Sequence, residues 1–463
     1  MSLAGSLDIG KRAIMTQTQA LKVVGENISN VSTPGYSRKR LELKSTIHAK
    51  GQDISLLEVR RIRDQFIDKH IRKENQSLGS WEMKSQLYGQ IERVFLEPSE
   101  SGLKNLLGEF WNSWEDLSNN PENITSRGMV IQRGISLAQS INRIDSQLKD
   151  MRKTTDGYIN DRLEQVNDKA GQVAYLNSQI QFMEASGQEA SSLRDHRDQL
   201  VDQLSKLINV TSVERDNGSV TLYIGGRTIV EDAQFNELES HKVSQNGMVI
   251  TNIKWADDGS SVEISDGDIE GLMEIRDEVI LDLSNKMNLL SETIINSVNE
   301  LHKTGYGLDG GTGRDFFLGS NASNLRVNDD PATDIVNHPD RLGASLDGEA
   351  GDNEIAINIA RLSEIMVTSS GVEAPNDPDA INISRYYSEI VNSLGTDTNH
   401  ASLMLESSQM LVTDYEEYRE SVSGVSLDEE TAELIRLQRA YESATKYMSV
   451  IDEMMQTLIN LGR

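Results

Sequence analysis

Residues 427–461 read LDEETAELIRLQRAYESATKYMSVIDEMMQTLINL. Within them Leu434, Leu437, Tyr441, Ala444, Met448, Ile451, Met455 and Leu458 follow one another at intervals of three and four residues without a miss. That alternation sets them along one seam of an α-helix, the a and d positions of a two-helix packing, and predicts a long helix that needs a partner. Asp428, just ahead of EETAEL, stands where it can cap the helix start.

The other end of the chain carries a weaker stripe of similar length. From Ser6 to about Asn30, and just beyond at each end, the apolar residues fall at Leu3, Leu7, Ile14, Leu21, Val24, Ile28 and Val31, with Gly10 and Gln17 interrupting the seam. Such a helix is marginal by itself, since helices in proteins draw most of their stability from packing. A final helix packed on its own domain is the plain alternative, but two seams of matching length favour pairing of the termini.

Between the ends, the segments 61–118, 125–186, 190–208, 270–304 and 383–423 are rich in strong helix formers and nearly free of Pro. Pro98 and Pro121 punctuate the first group, with Ser118-Asn119-Asn120 as a break. From Val210 to Ile264 the pattern changes to short β-branched runs (VTSV, SVTLYI, RTIV, MVITNIKW, VEI) separated by DNG, GG, NG and DDG. These runs and turn residues predict a small antiparallel β domain. Residues 305–355, polar and rich in Gly and Asp, read as loops. The expected fold is mainly α: a long helical bundle with coiled-coil-forming terminal helices and a small inserted antiparallel β domain.

Composition narrows the function. The 463 residues include 45 Lys+Arg, 73 Asp+Glu and no Cys, for a net charge of −28. Without Cys there is no disulfide framework, thiolate nucleophile or iron–sulfur site, and the acid excess argues against nucleic acid as a partner. Charge is uneven: residues 1–72 hold thirteen Lys/Arg and seven Asp/Glu, a net of +6, which leaves −34 on the rest. No run approaches the ~18 apolar residues of a membrane span, so no membrane insertion is expected. The opening residues lack the pattern of a secretory signal, which predicts that the conventional secretory route is not used.

The seven His residues (48, 70, 196, 241, 302, 338 and 400) are scattered, and no HExxH, GxSxG, Walker or GxGxxG motif occurs. Catalysis, cofactor and metal are therefore not expected. Asp195, His196 and Asp198 alternate with Arg194 and Arg197, which predicts a solvated, charge-paired helix face. Asp266, Asp268, Glu270 and Asp277 follow the order of an EF-hand loop. Glu270 replaces the usual Asp or Asn, Asp277 is shorter than the usual Glu and no helix precedes the loop, so Asp268 is expected instead to cap a helix beginning near Glu270.

Residues 27–37 read NISNVSTPGYS directly after the first stripe. Thr33-Pro34-Gly35 ends a helix sharply, because Pro disfavours helical geometry in the residue before it and Gly accepts a left-handed turn. With Asn27, Asn30, Thr33, Pro34, Gly35 and Tyr36, this segment resembles the signature of the rod, hook and hook-associated axial proteins of the bacterial flagellum, and residues 423–461 are similar to the matching end of that family. The runs 109–131, 192–210, 271–280 and 302–317 resemble its hook-associated members; rod and hook proteins share the termini but are β-rich between them.

The resemblance implies a non-catalytic structural subunit at the hook–filament junction, exported unfolded by the flagellar type III pathway to an extracellular position, which a Cys-free chain suits. It implies three domains: 1–40 plus 425–463 as an inner, channel-lining coiled coil, 41–207 plus 268–424 as a helical bundle with a loop region at 305–380, and 208–267 as a small outer β domain. Leu7, Ile14, Leu21 and Ile28 would pack against the C-terminal seam, within a subunit or across a ring, and order on assembly. Implied partners are further copies of the chain, hook protein, the distal hook-associated protein and an export chaperone on the C-terminal helix. Alternatives are another axial protein, distal hook-associated or hook protein, or a calcium-binding secreted surface protein.

Overall fold

The computed structural model describes residues 3–48, 51–95, 102–186, 188–245, 247–374 and 376–461. The break expected at Pro98 lies outside the described residues. The body is a helical bundle: α2 (Gln65–Phe95) runs antiparallel along the chain's second-last helix, α9 (Ile383–Ser423), with Phe95 by Tyr387 and His70 stacked on Tyr415, while α3 (Leu103–Asn119) turns back at Asn120-Pro121 onto the 62-residue α4 (Ile124–Ala185). Asn123 caps α4, its side-chain oxygen accepting the amides of Thr125 and Ser126. The shorter α5 (Ser191–Leu207) folds back against α4 and α2.

The inserted β domain forms where the turn chemistry predicts it. A four-stranded meander, β3 (Val210–Glu214), β4 (Val220–Ile224), β5 (Arg227–Glu231) and β6 (Gln234–Phe235), is followed by a separate hairpin, β7 (Leu238–Gln245) and β8 (Met248–Trp255). The β7 segment LESHKVSQ escapes sequence patterning because only Leu238 of it is buried; pairing with β8 fixes its register. The VEI run at 262–264 is not a strand; it lies beside the single Lys254–Ser261 bridge. Next, α6 (Asp268–Glu274) passes through a π turn at Ile275–Val279 into α7 (Ile280–His302). Two-residue strands β9 (Phe317–Leu318) and β10 (Arg326–Val327) and the short α8 (Glu354–Ala360) punctuate the loops before α9.

A second hairpin, β1 (Lys39–His48) with β2 (Gly51–Arg61), occupies part of the stretch assigned to the helical bundle. This corrects the expected partition. The signal was present, since Leu41, Leu43 and Ile47 alternate with Arg40, Glu42, Lys44 and Thr46, the period of two that a strand requires.

The main apolar core runs from Met83 to Leu394 and includes an aromatic nest of Phe110, Trp114, Phe316 and Phe317. His302 sits in that nest, fully buried. Its Nδ1 lies 2.7 Å from the Arg314 carbonyl and its Nε2 accepts the Gly343 amide at 2.9 Å, which fits a neutral ring donating at Nδ1. Burial holds its pKa down to about 4. The unfolded chain binds this proton near pH 6.5 and the native one only near 4, so stability is complete above 6.5 and is lost as pH falls through that window, by about 3 kcal/mol in all. Asp268, pushed up to about 6 chiefly by burial, acts with the opposite sign. The His302 share is therefore read by comparison: His302→Gln should reduce the loss of unfolding free energy between pH 7 and pH 5 by about 2 kcal/mol in denaturant titrations. Identical pH slopes would remove the assignment.

Candidate assembly site at the paired termini

The first helix, α1 (Leu3–Ser29), lies antiparallel along the last, α10 (Leu427–Leu461): Asn27 meets Glu430 at one end and Gly10 meets Met448 at the other. Leu437 and Ile451 are buried, whereas Leu434, Tyr441, Ala444, Met448 and Met455 are half-buried and Leu458 is exposed. On α1 the seam residues Leu7, Ile14, Leu21 and Ile28 are half-buried. The deepest positions are instead Gly10, Val23, Val24 and Asn27. Gly10, an interruption in the sequence, is a notch: a β-carbon there would run into the sulfur of Met448. The Gln17 side-chain oxygen is buried and has no hydrogen-bond partner among the described residues, so the seam is imperfectly apolar. Ile9, Met15, Ile435, Tyr447, Val450 and Met454 remain exposed, so one subunit leaves much of the pair's apolar surface uncovered. Asp428 does not cap α10. It lies in the first turn with Glu429 and Glu430, and Ser426 takes the capping place, its carbonyl accepting the Glu430 amide at 2.9 Å.

The segment after α1 is a turn wired to both neighbouring helices. The Tyr36 amide donates to the Thr33 carbonyl and Gly35 has φ +78°, a type II turn with Pro34 and Gly35 in its central positions. Asn30 holds the helix end, its side chain donating to the Glu26 carbonyl at 2.8 Å and accepting the Thr33 hydroxyl at 3.2 Å. Asn27, fully buried, uses both ends of its amide: Oδ1 accepts from the Tyr36 hydroxyl and the Lys39 amide, and Nδ2 donates to the Lys39 carbonyl and to Glu430. Aspartate would lose the donor side of this arrangement. Arg38 joins Glu429 and Glu430 at 2.7–2.8 Å, and those carboxylates outweigh burial to hold its pKa up. Its backbone is bonded on both sides, donating to Ser423 and accepting from Ile62. Burial, reinforced by Glu26 and Asp195, pushes the Tyr36 phenol up.

Beneath this turn lies a cluster of buried charge. Asp195, Asp198 and Asp202 form a rail along α5. Arg61 bridges Asp195 and Asp198 at 2.8 and 2.9 Å, Arg63 joins Asp198 at 3.1 Å and Asp68 at 2.5 Å, and Arg72 and Arg419 both reach Asp202. Arg197, fully buried, donates to the Gly218 carbonyl and to Asp198. Burial opposes the charge on Asp198, yet Arg63, Arg197, Arg61 and Arg72 hold its carboxyl far below the usual range. The expectation of a solvated face over 194–198 is thus corrected: Asp195, Arg197 and Asp198 are buried and only His196 of the central trio is exposed. Same-helix neighbours could not show this, because most of the partners lie more than a hundred residues away. Among the described side chains, none of the main core residues comes from α1 or α10, and the turn after α1 and the base of the hairpin meet α5 through polar contacts of Ser37, Lys39 and Arg61.

The acidic stretch 266–277 is also engaged by the protein. Asp266 accepts from Ser77, Asp268 from Arg162, Glu270 from Ser80 and Lys84, and Asp277 from Arg276. Asp268 opens α6 as its first helical residue and does not cap it; Gly267, at φ +93°, occupies the cap position.

Residues 88–317 match the flagellar hook-associated protein FlgK helical domain, residues 419–461 the flagellar basal body rod FlgEFG protein C-terminal model, and residues 7–36 the flagella basal body rod protein model. The chain belongs to the flagellar hook-associated protein family. Flagellar hook-associated protein 1 of Bacillus subtilis is 27% identical over 98% of this chain and 97% of its own length. The Salmonella typhimurium protein of that name is 30% identical over 64% of this chain and 56% of its own. The flagellar hook junction protein FlgK of Burkholderia pseudomallei superposes with a TM-score of 0.49 at 20% identity, over 54% of this chain and 46% of that one. Members of the hook-associated family are structural components of the flagellum, and the two terminal matches coincide with α1 through its turn and with α10.

Proposed function

We propose that this chain is the structural subunit that joins hook to filament, exported unfolded and assembled into a ring through α1 and α10. The observation that carries this is the half-covered terminal pair. A seam that buries only Leu437 and Ile451 fully, beside exposed Tyr447, Val450 and Met454, is a surface left for neighbours. The Bacillus subtilis relative, matched from end to end, bears the name of a hook-associated protein. Further copies, hook protein and the distal hook-associated protein would be the neighbours, and before assembly an export chaperone would cover the α10 stripe. The three units 1–40 plus 425–463, 41–207 plus 268–424, and 208–267 would lie from the channel outward. The hairpin at 39–61 then bridges the first two.

Electron microscopy of cells lacking this chain should show complete hooks without filaments. The wild-type gene should restore filaments, while a Leu437→Glu, Met448→Glu chain, with its helical body still folded by circular dichroism, should not. Normal flagella on the deletion strain, or on the strain carrying the double variant, would overturn the proposal.

A further inference from the structure

Two exposed stripes of the chain are written in complementary charge. On the outer side of α1, Lys11, Met15, Thr18 and Lys22 follow spacings of four, three and four, and all are exposed, Met15 by 59%. On the second half of α9, Glu406, Met410, Thr413 and Glu417 repeat those spacings and residue sizes with the charge reversed, and all are exposed, Met410 by 60%. Each stripe has the seam geometry of a two-helix packing, with a central Met–Thr pair between charged ends. Nearby residues reinforce the contrast: Asp414, Glu416 and Glu420 lie around the α9 stripe, and α1 belongs to the net-positive first segment of a polyanionic chain.

Among the described residues neither stripe has a helix against it, because α1 is packed along α10 and α9 along α2 by their other faces. We infer that the α1 stripe of one copy docks on the α9 stripe of a second copy, Lys11 and Lys22 facing Glu406 and Glu417 with the Met and Thr side chains packed between them. The contact rests on the assembly reading above and extends it by naming which surfaces meet. The arrangement inferred is parallel, Lys11 facing Glu406, Met15 facing Met410, Thr18 facing Thr413 and Lys22 facing Glu417. Charge of opposite sign on the two faces would speed encounter and fix register, and like charges would exclude pairing of α1 with α1 or α9 with α9.

The Cys-free chain makes the contact directly readable. Purified full-length Met15→Cys chain is mixed with Met410→Cys chain under mild oxidation, and the mixed disulfide is followed on non-reducing gels. It should form about tenfold faster than with Tyr175→Cys, an equally exposed site off the stripe. Adding Glu406→Lys and Glu417→Lys to the Met410→Cys chain should bring the rate down to that control, and adding Lys11→Glu and Lys22→Glu to the other chain should restore it. Circular dichroism checks that each variant is folded. Equal rates for Met410→Cys and the control, or charge reversal without loss, or loss without rescue, would overturn the inference. The measurement is made on purified chain, so its failure is distinct from failure of the junction reading, which the deletion strain decides.

Discussion

Asp198→Ala is expected to destabilise the chain by about 3–5 kcal/mol, the range for breaking a buried ion pair from one side. Asp198 is the carboxylate shared by Arg61, Arg63 and Arg197, and its removal leaves three largely buried guanidiniums with fewer acceptors than donors. The lesion should be visible as a fall in the denaturant midpoint. It should also be local: because this cluster ties the turn after α1 and the base of the hairpin to α5, limited proteolysis near residues 62–64 and 424–426 should accelerate before the body unfolds. The wild-type pH dependence follows from the same group. A carboxyl depressed in the native state contributes stability above its unfolded pKa and loses it as pH falls below that value, so an Asp198→Ala chain should lack part of the acid-induced loss below pH ~4. An unchanged midpoint with unchanged proteolysis would show that the arginines find equivalent partners without Asp198.

Arg276→Met should have an effect of similar size in a different place. The fully buried Arg276, in the π turn, donates to Asp156 of α4 at 2.7 Å and to the Thr251 carbonyl of β8 at 2.7 Å, and grips Asp277 through two nitrogens. Asp156 also accepts the Thr251 amide and hydroxyl, so one arginine and one aspartate fasten the β7–β8 hairpin onto the bundle. Methionine fills a comparable shape but leaves Asp156 with the mostly exposed Lys242 as its remaining cation, for an expected loss of about 3–5 kcal/mol. The double variant Arg276→Met, Asp156→Leu should recover part of that loss, because removing both partners leaves no stranded charge. A double variant as unstable as the sum of the singles would place the energy in packing instead.

The helices were legible because their information is local. The seam of α10 and the Asn123 cap each need only a few neighbouring residues, and the Gly225-Gly226 turn of the β domain likewise shows in its own dipeptide. What escaped was non-local. Nothing next to Asp195 or Asp198 in the chain announces Arg61, Arg63 or Arg419, and a charged helix face reads alike whether it meets water or arginines. The β1–β2 hairpin was missed for a different reason: its alternation is plain, but it sits beside strongly helical segments and takes its place from the joint at its base. At the terminal site, the signature residues Asn27, Thr33, Gly35 and Tyr36 stood out as a motif, and their bonding explains the motif as a turn that locks α1 to α10. The value of Gly10 as a notch for Met448 was invisible, since in sequence it was only a gap in a stripe.

The backbone of Arg38 has one more implication. Its amide is bonded to Ser423 and its carbonyl to Ile62, so three separate passes of the chain are fastened at a single residue. Everything from residue 63 to residue 422 is, topologically, an excursion that leaves and returns through one gate. Such a plan lets the excursion lengthen, shorten or exchange its outer parts over evolutionary time while the gate and the helices beyond it keep their dimensions. The outer parts of such a chain can in this way be exchanged without disturbing the paired termini.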